Sequence, residues 1–173
     1  MTYYKAAPVS RNDIRRFVRK LKKISGFENV LYFPVIEFLE NVLPMIIPDF
    51  QLEIVPQNEM GNKHGETFPN KNVIRIREDV YERAVAGEGR DRLTIGHEIG
   101  HLFMHEEESI SLCRLEPGKR IPAYADPEWQ ADAFGGELLA SSYLIRGMNA
   151  FEVSDRCGVS IKAATIQLRT LDK

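Results

Sequence analysis

A chain of 173 residues, 43% apolar and 28% charged, is long enough for one domain with a real core, and its composition excludes disordered and collagen-like classes. Lys plus Arg number 23 and Asp plus Glu 25, a net charge of −2, yet residues 1–26 hold eight basic side chains against Asp13 alone. The acidic remainder argues against a protein that grips nucleic acid over its whole surface.

In chain order, Ile14, Phe17, Val18, Leu21 and Ile24 recur at helical spacing, with arginines and lysines between them, and Ser25-Gly26 closes a helix over 11–24. A second helical pattern starts near Pro34, and Pro44 is expected to end it. Residues 51–55, 66–68 and 73–77 read as three short strands of a small antiparallel sheet, with Ile74 and Ile76 on one face of the third. Helices are expected at 79–86, 90–105 and 127–139, with a loop of roughly twenty residues between the last two. The tail, 150–171, divides into two short helices around Cys157-Gly158-Val159-Ser160, similar to a helix-turn-helix. Its second helix offers only Lys162 and Arg169 as basic residues, so packing on the core is the better reading than DNA contact.

Cys113 and Cys157 lie far apart without a CxxC spacing, which fits a reducing compartment. The chain shows no signal-peptide pattern, and residues 30–47, the most apolar stretch, are interrupted by prolines and acidic residues. A cytoplasmic protein with no membrane span is expected.

His97-Glu98-Ile99-Gly100-His101 is an HExxH sequence inside a helical pattern. Residues four apart share a helix face, so both imidazoles can reach one ion while Glu98, one step round, can take a proton from water. A catalytic zinc site needs a third protein ligand and an open fourth position. His105 fails on distance, because eight residues from His97 is about 12 Å of helix axis. His64 stays open on spacing, and Glu137 is a weaker rival. The stronger candidate is Glu128, since Pro127 suits a first turn and Glu128 and Asp132 then lie four apart on one face. One carboxylate can bind metal while the other orients a ligand histidine.

Together with IPAYADPEWQADAFGGELL at 121–139, this motif closely resembles the ImmA/IrrE family of metallo-endopeptidases, loosely from Gly26 to the tail. The resemblance implies a gluzincin-like zinc site with His97 and His101 as metal histidines, Glu98 as the catalytic glutamate and Glu128 as third ligand. Asp132 matches the family's Asn/Asp four residues later. Members often carry a proline soon after the paired leucines, whereas Leu138-Leu139 here leads into Ala140-Ser141-Ser142. The fold implied is α+β and zincin-like: a small antiparallel sheet packed on the active-site helix, with surrounding helices. One metallopeptidase domain spans 1–173, with N-terminal helices (1–48), a catalytic core (49–140) and a helical tail (141–173).

The chemistry expected is zinc-dependent hydrolysis of a peptide bond, with Glu98 as general base on zinc-bound water. The resemblance suggests a helix-turn-helix transcriptional repressor as the protein substrate. The alternative is a non-proteolytic regulator that binds a transcription factor or DNA, with the basic first helix and the tail as its supports. A structural zinc domain is a third reading. An edge strand such as 73–77 could receive an extended substrate. Tyr124 and Tyr143 are candidates for oxyanion contact or for packing, and Cys113 for a latent zinc ligand or an incidental thiol.

Overall fold

The computed structural model describes residues 2–106, 110–114 and 120–172. Strand β1 (Thr2–Ala6) precedes helix α1 (Arg11–Ile24), which begins in a capping box between Ser10 and Asp13. Ile14, Val18 and Leu21 are buried as the spacing predicts, and so is Lys22, which periodicity had placed among the solvent-facing basic residues.

Helix α2 (Val35–Glu37) runs through a π turn at Phe38–Val42 into helix α3 (Leu43–Ile46). Pro44 therefore does not end this helix. A proline cannot donate to the carbonyl four residues back, and the wider π turn absorbs the mismatch: Leu43 N–H reaches the Phe38 carbonyl, five residues earlier.

Strands β2 (Gln51–Val55), β3 (Gly65–Phe68) and β4 (Val73–Arg77) form a three-stranded sheet of order β2-β4-β3, with helix α4 (Gln57–Met60) between β2 and β3 in the chain. The small sheet is as expected, but its strands are not all antiparallel. β3 turns directly into β4 and pairs antiparallel with it, while β4 inserts beside β2 and runs parallel to it. Period-two patterning identifies strands but not their neighbours. Residues 73–77 are thus the central strand rather than an edge, with Ile74 and Ile76 buried completely. The edges are β2 and β3.

Helix α5 (Glu78–Val85) leads into helix α6 (Gly89–Met104), which carries HExxH and sets Ile95, Ile99 and Leu102 into the core. The expected loop after it contains strand β5 (Ile110–Arg114), which pairs antiparallel with β1. The side chain of Cys113 lies outside the described residues. Helix α7 (Pro127–Leu139) is capped by Asp126, whose side chain accepts from Glu128 N–H. Helices α8 (Ala150–Cys157) and α9 (Ile161–Leu168) follow. Their turn packs on the core: buried Arg92 of α6 donates to the carbonyls of Gly158 (2.9 Å) and Phe33 (2.9 Å) and stacks against Tyr32. The architecture is α+β, and no helix among the described residues is long and apolar enough to cross a membrane.

Candidate metal centre

Helices α6 and α7 meet through small residues. Gly96 and Gly100 on one face Ala131 and Gly135 on the other, and a β-carbon on Gly135 would lie 3.0 Å from backbone atoms of Gly96 and His97. This approach brings the first turns of α7 over the HExxH face of α6. His97 Nε2 and His101 Nε2 are 2.9 Å apart, and each is 3.4 Å from a Glu128 carboxylate oxygen.

Bonds of about 2.0–2.1 Å to a tetrahedral ion set ligand atoms about 3.3–3.4 Å apart. The two 3.4 Å separations run to different carboxylate oxygens, from His97 Nε2 to Oε2 and from His101 Nε2 to Oε1, and the two imidazole nitrogens lie closer together than that spacing. Two imidazole nitrogens and one carboxylate oxygen are a donor set suited to zinc and its neighbours. His97, His101 and Glu128 could therefore hold a metal ion.

Asp132 Oδ1 lies 2.7 Å from His97 Nδ1. An ionised carboxylate only accepts, so His97 carries its proton on Nδ1 and directs Nε2 at the centre. Burial opposes charge on His97, but hydrogen bonds to Asp132 and Glu128 outweigh it and lift its pKa to about 10. The second proton of that imidazolium occupies the nitrogen that would ligate, so ion and proton compete for it. The His101 and His97 imidazoles that face the Glu128 carboxyl hold it well below the usual carboxylate range.

Glu98 is 6% exposed, and burial raises its pKa against the opposing hydrogen bond from Thr67. The Thr67 hydroxyl of β3 donates to Glu98 Oε2 at 2.6 Å. Gly65 closes the other side: a β-carbon there would lie 2.7 Å from Glu98 Oε1. A buried, partly desolvated carboxylate beside the ligand set is suited to receiving a proton.

The other sequence candidates fall elsewhere. Glu137 is buried at the far end of α7, accepting from Ser142 and Gln167. Tyr143 donates to the Glu28 carbonyl and lies over Arg19, a packing role. His64 lines a cavity of about 380 Å³ with His97, Glu98 and Asp132, but is not in the ligand cluster. Tyr124 is half exposed, and its carbonyl accepts from Gln130. His105 is outside the cluster as its spacing requires, yet its Nδ1 lies 2.9 Å from His101 Nδ1. Sequence reasoning missed the contacts of Thr67, Gln130 and His105. Of these only the third histidine, one turn beyond His101, left a signal.

An HExxH helix crossed closely by a second helix that supplies a carboxylate, with a small sheet alongside, defines a zincin-like α+β domain. The model of the peptidase M78 family, described as the IrrE N-terminal-like domain, matches residues 53–168, and the chain belongs to that family. No curated protein matches the chain.

Proposed function

We propose that the chain is a zinc-dependent endopeptidase in which His97, His101 and Glu128 hold the ion and Glu98 is the general base. The observation that carries this is the meeting of three ligand atoms beside a buried glutamate whose carboxylate is fixed on both sides. A bound zinc ion would polarise the scissile carbonyl and lower the pKa of a coordinated water to roughly 7. Glu98 accepts the proton of the attacking water and returns it to the leaving amine. Asp132 holds the His97 ring, and Thr67 and Gly65 hold the Glu98 carboxylate.

A substrate in extended form fits along the outer edge of β3, the strand that touches Glu98. Cavities on either side of the ligands give its side chains room. One, about 580 Å³, is walled by Tyr3, Tyr4, Ile121 and Arg120, and the other is the cavity lined by His64. The substrate class we favour is a helix-turn-helix repressor in the cytoplasm.

The test has two stages. Wild type should carry about one zinc per chain, and Glu128→Gln and His101→Ala much less. Zinc-loaded wild type incubated with candidate repressors should give two fragments by intact mass, and Glu98→Gln should keep zinc while losing about 10²–10⁴ in rate. Cleavage by Glu98→Gln at the wild-type rate would remove Glu98 from its role. Repressor binding without cleavage would favour the non-proteolytic regulator.

A further inference from the structure

Beyond the ligands, a directed chain of hydrogen bonds runs from the N-terminal segment into the site. Gln130 is fully buried, and its Nε2 lies 2.9 Å from the Ala7 carbonyl and 2.8 Å from the Tyr124 carbonyl. Its Oε1 lies 2.8 Å from His105 Nε2, and His105, 1% exposed, places Nδ1 2.9 Å from His101 Nδ1.

Proton positions along this chain follow from donor and acceptor chemistry. Backbone carbonyls have no proton to give, so both hydrogens of the Gln130 amide are spent on Ala7 and Tyr124. The amide oxygen therefore faces His105 and can only accept, so His105 carries hydrogen on Nε2. A neutral ring with its proton there presents a lone pair at Nδ1. His101 must then donate from Nδ1, which leaves the lone pair of its Nε2 facing His97 Nε2 and Glu128. The opposite tautomer of His105 would set its Nε2 lone pair against the Gln130 amide oxygen, two acceptors 2.8 Å apart.

We propose that His105 and Gln130 are positioning residues that lock His101 in the Nδ1–H tautomer, with the carbonyls of Ala7 and Tyr124 as the fixed reference. Free histidine favours the other tautomer, whose proton would sit on the ligating nitrogen. The relay holds the ring ready for an ion and ties that readiness to the seating of the segment after β1. The inference rests on the reading of His101 as a ligand, but its central observable does not require the ion.

The experiment is a long-range 1H–15N correlation spectrum of the uniformly labelled full chain, before and after zinc, with zinc affinity measured by chelator competition. The expected spectrum assigns Nδ1–H to His101 and Nε2–H to His105 in both states. His105→Leu should weaken zinc about 10–100-fold, and His105→Gln, whose amide oxygen can accept from His101, should recover most of that loss. A proton on His105 Nδ1, or wild-type zinc affinity in a folded His105→Leu, overturns the proposal. If His105→Leu does not fold, the wild-type tautomers decide alone. Expected tautomers in a chain that takes up no zinc would overturn the peptidase reading and leave the relay standing.

Discussion

A β-carbon added to Gly96 would lie 3.2 Å from the α-carbon of Gly135. The metal centre thus depends on two helices touching backbone to backbone, a separation that only glycine allows at this crossing. Gly135→Ala would press on the main chain of Gly96 and His97, which cannot swing aside as a side chain can. We expect a loss of about 1–3 kcal/mol in chemical denaturation, together with weaker zinc binding as Glu128 is levered from the histidines. Wild-type values for both would show slack between the helices.

Gly65→Ala should separate catalysis from metal binding. The new methyl group would meet the Cγ and Oε1 of Glu98, both at 2.7 Å, and displace the carboxylate without touching a ligand. Zinc stoichiometry should stay near one, while turnover falls by at least about tenfold. Full activity in this variant would mean that Glu98 tolerates a second position.

Lys22 gives a pH signature far from the metal. It is fully buried, donating to Ser141 Oγ at 2.8 Å, and burial depresses its pKa from 10.5 to about 8. Because the folded value lies below the unfolded one, the unfolded chain binds more protons between those pH values, so this group makes stability rise with pH from about 8 to 10.5. Lys22→Met should be more stable than wild type near neutral pH, by up to about 3 kcal/mol, with the gain fading across that window. Ser141 would keep its bond to the Glu137 carbonyl. A constant difference from pH 7 to 11 would refute this account.

Arg92 couples the tail to the active-site helix. Its guanidinium satisfies the carbonyls of Phe33 and Gly158 and lies 3.9 Å from the Tyr32 ring centroid. Arg92→Met would leave those carbonyls buried and unpaired, and a loss of about 3 kcal/mol is expected in urea unfolding. Limited proteolysis should then cut first within residues 145–172. Unchanged protease resistance would show that the tail is held by apolar contacts alone.

The parts of this molecule legible in sequence are those where one residue's environment is set by near neighbours. Helix α7 matches its expected span to the residue because Asp126-Pro127 starts it by local chemistry. The HExxH pair is visible because helix geometry alone stacks His97 and His101. Strands β1 and β5 were not visible, since each is a lone five-residue segment whose partner lies about a hundred residues away. The same distance hid Gln130, which looks like an ordinary helix position until Ala7 and His105 arrive on its two sides. Lys22 misled because its spacing suits a solvated stripe, while its neighbour Ser141 lies 119 positions on.

The pairing of β1 with β5 also sets an order of assembly. Strand β1 is made about a hundred residues before its partner at 110–114, and the anchor at Ala7 waits longer still, for Gln130. The nascent chain therefore carries β1 without this partner while the residues between them are made. The metal centre, which draws on α6 and α7, becomes complete only after β5 has been made, so an ion captured there would meet a chain in which β1 already has its partner.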